Sequence, residues 1–262
     1  MSDRLDARGP AAPAALRTLR ILELLADAES ALSLTEIASR LGLPKSSVHH
    51  VVSVLVDRGW VERDDELRMS LGLRAWEVGQ AYDLAQSLTQ RARPYLTEVR
   101  DAVDETVRLA VLSGTDQVCL AKVPGSHPLV FDQRIGARLP CHATGLGKAL
   151  LSGRSGDEIR KLYASGPLEQ FTAQTLADRD ALEAELATIR ERGYAEDLGE
   201  YVLGIRCVAV PVRTREGDVV ASISVSGPVH RFDDEHVERA RAALQSAAEQ
   251  LGVRLGEATA VS

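Results

Sequence analysis

The chain has 262 residues, 45% hydrophobic, 26% charged and 4% aromatic, which is the composition of a globular protein long enough for two unequal domains. Its formal net charge of -7 excludes a protein that coats nucleic acid through general positive charge, so a DNA-binding surface would have to be local. The three cysteines are scattered without CxxC spacing, and no apolar run has the length of a signal peptide or membrane span. These features favour a cytoplasmic protein with no disulfide framework and no membrane partner.

The N-terminal part of the chain predicts a flexible leader, residues 1–13, followed by three helices. The first helix begins at Ala14, where leucines start to recur at helical spacing. Ser33 lies three residues before Glu36, which is the spacing of a capping box, and Gly42 is expected to end this second helix.

The third helix is predicted to begin with Pro44 as its first residue and to bury its valines and Leu55 on one face. Two extended runs, residues 60–63 and 67–71, flank an acidic turn and predict a hairpin. Residues 14–72 therefore predict a winged helix-turn-helix, in which the polar face of the third helix and the hairpin contact a DNA duplex. The candidate DNA-binding residues are Lys45, Ser46, Ser47, His49, His50, Ser53, Arg63 and Arg68.

An alternative to DNA binding is a small helical module whose solvated face binds protein. The acidic turn at Asp64, Asp65 and Glu66 favours this sensor or scaffold hypothesis, because it would repel a phosphate backbone. Sequence-specific, salt-dependent DNA binding would separate the two hypotheses.

The pattern stays helical from Leu73 to about Val103, with a break expected at Pro94, and residues 73–90 are predicted to be a linker helix. After Glu105 the hydrophobic period changes from helical to two, which indicates strands. The predicted strands cover residues 107–111, 118–123, 129–135, 207–213 and 219–226. The predicted helices cover residues 144–151, 157–164, 178–192 and 233–255. Residues 91–256 therefore predict an α+β domain, an antiparallel sheet with flanking helices that serves as a small-molecule sensor, and residues 257–262 a tail.

Two sets of motifs resemble the IclR family of transcriptional regulators. In the N-terminal part they are Leu32–Ala38, Leu41–His49 and Leu71–Leu73. In the C-terminal part they are Leu139–Leu151, Arg192–Tyr194, Glu200–Tyr201, Gly204–Pro211 and Ala221–Pro228. The resemblance implies a GAF-like C-terminal domain and a ligand-responsive regulator of a catabolic or metabolic operon, more often a repressor, that acts as a dimer or a dimer of dimers. Family members often carry Arg where this chain has His50, and neutral His cannot make the bidentate guanine contact of Arg.

An effector pocket is predicted from the alternation of Ser222, Ser224 and Ser226 with apolar residues, since hydroxyls beneath a cover of helices need partners. The resemblance implies effector contacts at Phe131, Gly145, Leu146, Asp197, Ile205, Cys207, Ser224 and Ser226. Each of these residues could instead belong to an ordinary core or loop. The polar inventory suggests a small carboxylate as effector, with an aromatic compound as the alternative.

The sequence lacks the motifs of a phosphate-binding loop, a metal site and a nucleophilic active site. The pair Gly147-Lys148 lacks the earlier glycine and the following Ser or Thr of a phosphate-binding loop. The pair Cys141-His142 has no second ligand pair at metal-binding spacing, and no nucleophile elbow occurs. We therefore expect no metal, no cofactor and no enzyme activity, with an enzyme using Cys207 or a serine kept as an alternative.

Overall fold

The computed structural model describes residues 13–127, 133–164 and 166–259. The chain divides into two compact units, with the division between Asp83 and Leu84. Among the described residues, no helix combines the length and the apolar character needed to cross a bilayer.

The N-terminal unit contains short helices and a small antiparallel sheet of strand order β1-β3-β2. Its helices are α1 (Pro13–Asp27), α2 (Leu34–Leu41), α3 (Lys45–Asp57) and α4 (Leu73–Gln80). Its strands are β1 (Leu32–Ser33), β2 (Val61–Arg63) and β3 (Arg68–Leu71). The hairpin of β2 and β3 is the predicted wing. Strand β1 was not predicted, because a two-residue strand leaves no periodic signal.

Local sequence determines where the helices of this unit begin and end. Ser33 and Glu36 form the predicted capping box of α2, and Gly42 ends it in the left-handed region at φ 63°. Pro44 is the N-cap of α3 and not its first residue, so that prediction was wrong by one position. The buried faces of α1, α2 and α3 meet in one core, which includes Ile21, Ile37, Val48, Val52 and Leu55.

The helical stretch after the wing is interrupted at Ala81 and Tyr82, between α4 and α5 (Asp83–Val103), and the break predicted at Pro94 was wrong. Pro94 lies inside α5. Leu88, Ala92, Leu96 and Val99 of this helix are buried in the core of the second unit, and their packing offsets the lost backbone hydrogen bond.

The C-terminal unit is built on a six-stranded antiparallel sheet of order β6-β5-β4-β9-β8-β7. Its strands are β4 (Thr106–Ser113), β5 (Asp116–Val123), β6 (Arg138–Pro140), β7 (Ala195–Leu198), β8 (Ile205–Arg213) and β9 (Val219–Pro228). Besides α5, its helices are the 3-10 turn Cys141–Ala143, α6 (Gly145–Leu151), α7 (Gly156–Leu162), α8 (Arg179–Arg192) and α9 (Asp234–Thr259).

Two edge strands of this sheet were missed by the sequence analysis. The strand expected at residues 129–135 falls partly on residues 128–132, which lie outside the described residues, and Gln133–Ile135 is not a strand. Strands β6 and β7 occupy the two edges instead. Each is only three or four residues long, too short for a recognisable alternation.

The sheet has two different faces. The apolar face, which includes Val107, Leu109, Val208, Val210, Ile223 and Val225, packs in one core with α5 and α9. The polar face carries Arg108, Asp197, Cys207, Ser222, Ser224 and Ser226. Beside these polar residues, α6, α7 and α8 form a second core with Ala110, Ala195 and Ala209 of the sheet. The alternation of side chains along each strand places adjacent residues on opposite faces.

Candidate functional site

The candidate DNA-binding surface is the face of α3 that points away from the core. Lys45, Ser46, His49, His50 and Ser53 are exposed there, and Ser47 is half-buried. The opposite face is anchored because Val48, Val52 and Leu55 are buried. Within its unit, α3 therefore offers short polar side chains to an outside partner, as a recognition helix requires.

The two candidate arginines of the wing are placed differently. Arg63 is exposed on β2. Arg68 is half-buried, lies 3.3 Å from the Glu36 carboxylate and donates to the Ala31 carbonyl oxygen at 2.8 Å. These contacts hold β3 against α2, so the Arg68 guanidinium is only partly available to a phosphate.

The acidic tip of the wing has a role in folding. The Asp64 carboxylate accepts hydrogen bonds from the backbone N–H groups of Glu66 at 3.0 Å and Arg68 at 2.8 Å. Leu67 takes the left-handed conformation at φ 60°, which a side chain rarely adopts without such support. At least one of the negative charges therefore stabilises the turn.

A cavity lies over the polar face of the C-terminal sheet. The space between its lining atoms, including the part that opens to solvent, is about 450 Å³. Seven of the eight predicted effector residues line it, namely Gly145, Leu146, Asp197, Ile205, Cys207, Ser224 and Ser226. The eighth, Phe131, lies outside the described residues. The structure thus brings these seven together, while their contact with an effector remains a prediction.

The cavity also has lining residues that the sequence analysis missed, which are Arg108, Gln117, Gln133, Leu139, Thr144, Tyr201 and Val202. Arg108 is the most consequential, because its side chain is only 4% exposed and it donates to the Ser226 hydroxyl at 2.6 Å. In the sequence, Arg108 alternates with apolar residues and resembles a solvent-facing position. Its strand pairing with Ser224 places it on the polar face beside the predicted hydroxyls.

The two glycines of α6 allow close packing, Gly145 against Cys207 of the sheet and Gly147 against the 3-10 turn before the helix. A Cβ on Gly145 would lie 3.0 Å from the Cys207 sulfur, and a Cβ on Gly147 would lie 2.2 Å from Cα of Cys141. Ser222 completes the contact by donating to the Leu146 carbonyl oxygen at 3.0 Å. The Gly-x-Gly pattern therefore serves close packing beside the cavity.

The loop that follows β7 is held over the cavity by a buried ion pair. Lys148 of α6 is 2% exposed, and its ammonium lies 2.5 Å from one Glu200 oxygen and 3.8 Å from a Glu185 oxygen. The Thr175 hydroxyl donates to the Glu200 carbonyl at 2.6 Å. Because Tyr201 lines the cavity in the same loop, Lys148 positions part of the cavity wall.

Two ionisable groups of the cavity have shifted pKa values. Burial raises the pKa of Asp197 to about 7, even though its carboxylate accepts a hydrogen bond from the Glu200 N–H at 2.7 Å. Near neutral pH this carboxyl group is therefore able to donate or accept. Burial also raises the pKa of Cys207 to about 12, so its thiol stays protonated and is a poor nucleophile.

In the part of the chain that the structure describes, no group of three or more His, Cys, Asp or Glu side chains converges as a metal site. Cys119, Cys141 and Cys207 are buried and unlinked.

Both units match one protein family along the chain. Residues 14–65 match the IclR helix-turn-helix domain, and residues 80–253 match the family described as bacterial transcriptional regulator IclR C-terminal. The chain belongs to the IclR family.

Similar proteins agree with this assignment over nearly the full length. The HTH-type transcriptional regulator XynR of Escherichia coli is 36% identical over 92% of this chain and 96% of its own. The transcriptional repressor IclR of the same organism is 32% identical over 92% of this chain and 89% of its own. The solved structure of an IclR homologue from Microbacterium hydrocarbonoxydans, complexed with 4-hydroxybenzoate, has a TM-score of 0.78 at 29% identity, over 91% of this chain and 98% of its own.

As an IclR-family member, the protein is a ligand-responsive, DNA-binding transcriptional regulator, and its relatives are regulators, not enzymes. The fold prediction is confirmed: an N-terminal helix-turn-helix is followed by a C-terminal GAF-like domain in an α+β chain. The individual residues that contact DNA and effector remain predictions.

Proposed function

We propose that this IclR-family protein represses a metabolic operon and that its effector is a small organic acid bound in the cavity of the C-terminal unit. The observation that carries the proposal is the buried guanidinium of Arg108 in a cavity that also contains the Ser224 and Ser226 hydroxyls. A guanidinium is always charged and has five N–H donors in a geometry that suits carboxylate.

The acid would be held by complementary groups around one end of the cavity. Arg108 supplies positive charge, and Ser226 is already aligned with it at 2.6 Å. Asp197, with a pKa of about 7, adds a group that donates to an oxygen when it is protonated. Charge-assisted hydrogen bonds in a water-poor site favour a carboxylate over a neutral molecule of the same shape.

An aromatic acid is a second candidate. Leu139, Leu146, Val202 and Ile205 add apolar walls to the cavity, and Tyr201 adds an aromatic one. The solved relative from Microbacterium hydrocarbonoxydans, which is complexed with 4-hydroxybenzoate, supports an aromatic ring as the occupant in this second candidate.

We further propose that α3 lies in the major groove of operator DNA and that the chain acts as a dimer or a dimer of dimers. One small helix-turn-helix contacts too few base pairs for operator-level specificity. Leu73 and Trp76 of α4 are each 62% exposed, and Tyr82 after this helix is also exposed, which supports an interface with another copy. An effector changes DNA affinity only if it prefers one of two arrangements of these units.

The DNA-binding proposal is tested by titrating the full-length protein against the DNA upstream of its own gene at several salt concentrations. We expect salt-dependent, sequence-specific binding that Lys45→Ala weakens by about tenfold and that a matched surface variant, Arg154→Ala, leaves unchanged. Equal binding to unrelated DNA would contradict an operator-specific regulator and favour the scaffold hypothesis.

The effector proposal is tested by mass spectrometry of small molecules retained by the native protein, followed by calorimetry with the identified acid. Arg108→Gln should lower affinity for that acid by about a hundredfold, since a charged hydrogen bond to the carboxylate is lost. Retention of a neutral compound, with unchanged affinity in Arg108→Gln, would rule out the acid. Light scattering on the same samples reports the oligomeric state.

A further inference from the structure

Gln117 of β5 is a buried side chain whose amide has no partner. Its side chain is 0% exposed, and neither Oε1 nor Nε2 makes a hydrogen bond in the described parts of the chain. A buried amide normally has its hydrogen bonds satisfied, and an exception calls for an explanation such as a bound molecule. Gln117 lines the same cavity as Arg108, so an occupant of that cavity is within reach of both.

The two side chains lie at separate positions along the cavity. Gln117 pairs with Leu112 of β4, whereas Arg108 lies four residues before Leu112 on the same strand and on the same face of the sheet. Four residues of extended strand correspond to about 13 Å of backbone. The cavity thus has one polar position at Arg108 and Ser226 and another at Gln117, with apolar side chains such as Leu146 also lining it.

We infer that Gln117 is a specificity-determining residue and that the effector is a carboxylic acid with a hydroxyl or amide group at its far end. This inference rests on the proposed function, in which Arg108 holds the carboxylate. In the bound state the far group donates to Oε1 of Gln117 and accepts from Nε2, which satisfies both atoms of the amide.

The chemistry excludes two kinds of acid as the best ligand. An acid that ends in a methyl group leaves the amide of Gln117 buried without a partner, so its binding gains nothing at that position. An acid of two carbons is much shorter than the roughly 13 Å between the two strand positions, so we expect it to contact Arg108 or Gln117 but not both. Discrimination of this kind is large because a site built to hydrogen-bond a hydroxyl is left with unpaired polar groups when the hydroxyl is missing.

The test uses calorimetry on the full-length protein with matched pairs of acids. One set pairs hydroxyalkanoates that carry the hydroxyl at the end of the chain with unsubstituted acids of the same length, and another pair is 4-hydroxybenzoate and benzoate. We expect the hydroxylated member of at least one pair to bind about tenfold more tightly than its partner.

The Gln117→Leu variant separates recognition from folding. It should bind both members of that pair with equal affinity, and its Tm should rise because an unpartnered buried amide is replaced by an apolar side chain of similar size. The same substitution at an exposed glutamine of α9, Gln250→Leu, should leave the preference unchanged. Arg108→Gln should instead weaken both members of the pair together.

The outcomes distinguish this inference from the proposed function. Equal binding of hydroxylated and unsubstituted acids by the wild type, or a preference that persists in Gln117→Leu, overturns the role of Gln117 and leaves the acid effector standing. Failure of every acid to bind the wild type overturns the acid effector and, with it, the role of Gln117.

Discussion

The two faces of the C-terminal sheet are made by the same strands but differ in what closes them. On the apolar face, Val208, Val210, Ile223 and Val225 pack with α5 and α9 in a continuous core. On the polar face, the neighbouring positions carry Cys207, Ser222, Ser224 and Ser226, and a cavity remains under α6 and the loop after β7.

One face of the sheet contributes mainly to stability, and the other borders the proposed binding site. The apolar face gains stability from close packing, in which each buried side chain contributes through the area it removes from water. The polar face is packed less closely because a cavity remains there. Its cover, α6 and the loop after β7, is held by specific contacts such as Lys148 with Glu200 and Ser222 with Leu146. Truncation to alanine should therefore have different effects on the two faces.

The largest effect is expected from removal of the buried cation that holds the cover of the polar face. Lys148→Met leaves Glu200 with an uncompensated buried charge, and we expect a loss of about 3–5 kcal/mol in the free energy of unfolding, measured with urea. The double variant Lys148→Met/Glu200→Met should recover most of that loss, because both charges are then absent. A double variant as unstable as the single one would show that the ion pair itself is not responsible.

The next prediction concerns two adjacent residues of β9 whose side chains lie on opposite faces of the sheet. Ile223 is fully buried on the apolar face, so Ile223→Ala should lower the free energy of unfolding by about 2–4 kcal/mol through lost packing and a cavity. Ser224→Ala removes only a hydroxyl beside an existing cavity and should cost about 1 kcal/mol or less. Equal losses in urea denaturation would mean that the polar face is packed as tightly as the apolar one.

The third effect is a pH dependence that belongs to the polar face. Because burial raises the pKa of Asp197 to about 7, the folded state holds a proton that the unfolded state, with a pKa near 3.9, has released. The contribution of Asp197 to stability therefore falls as pH rises from about 4 to about 7 and is constant above.

The isosteric variant Asp197→Asn lacks this titration. Its free energy of unfolding relative to the wild type should rise by about 2–3 kcal/mol between about pH 5 and about pH 7, at roughly 1.4 kcal/mol for each pH unit. Urea denaturation of both proteins across this range measures the difference. Parallel curves would show that Asp197 is already ionised throughout the range.

These contrasts explain which features the sequence could predict. The α2 cap at Ser33 and Glu36 and the alternation of β9 are local patterns. The family motifs predict seven of the fourteen described residues that line the cavity. Arg108 and Gln117 were missed because a polar residue in a strand has the same local pattern whether its face meets water or a helix. The strand pairing with Ser224 places Arg108 inside, and the cover by α6 encloses both residues; these are contacts between distant parts of the chain.

The smallest effects are expected from removing either of two serine hydroxyls on the polar face, one expected to stabilise the fold and the other to contribute to acid binding. Ser222 is fully buried and donates to the Leu146 carbonyl oxygen, so Ser222→Ala leaves that acceptor without its partner and should cost about 1 kcal/mol of stability. Ser226 lines the cavity and accepts from Arg108, so Ser226→Ala should mainly weaken binding of an acid, by about tenfold.

Urea denaturation and calorimetry on the same two variants measure both quantities. The expected pattern is a stability loss with near-normal acid affinity in Ser222→Ala and the reverse in Ser226→Ala, since the first hydroxyl holds α6 and the second orients Arg108. If Ser226→Ala lost stability and bound acid normally, the Arg108–Ser226 contact would belong to the fold, and the division of the polar face into a cover and a binding position would be wrong.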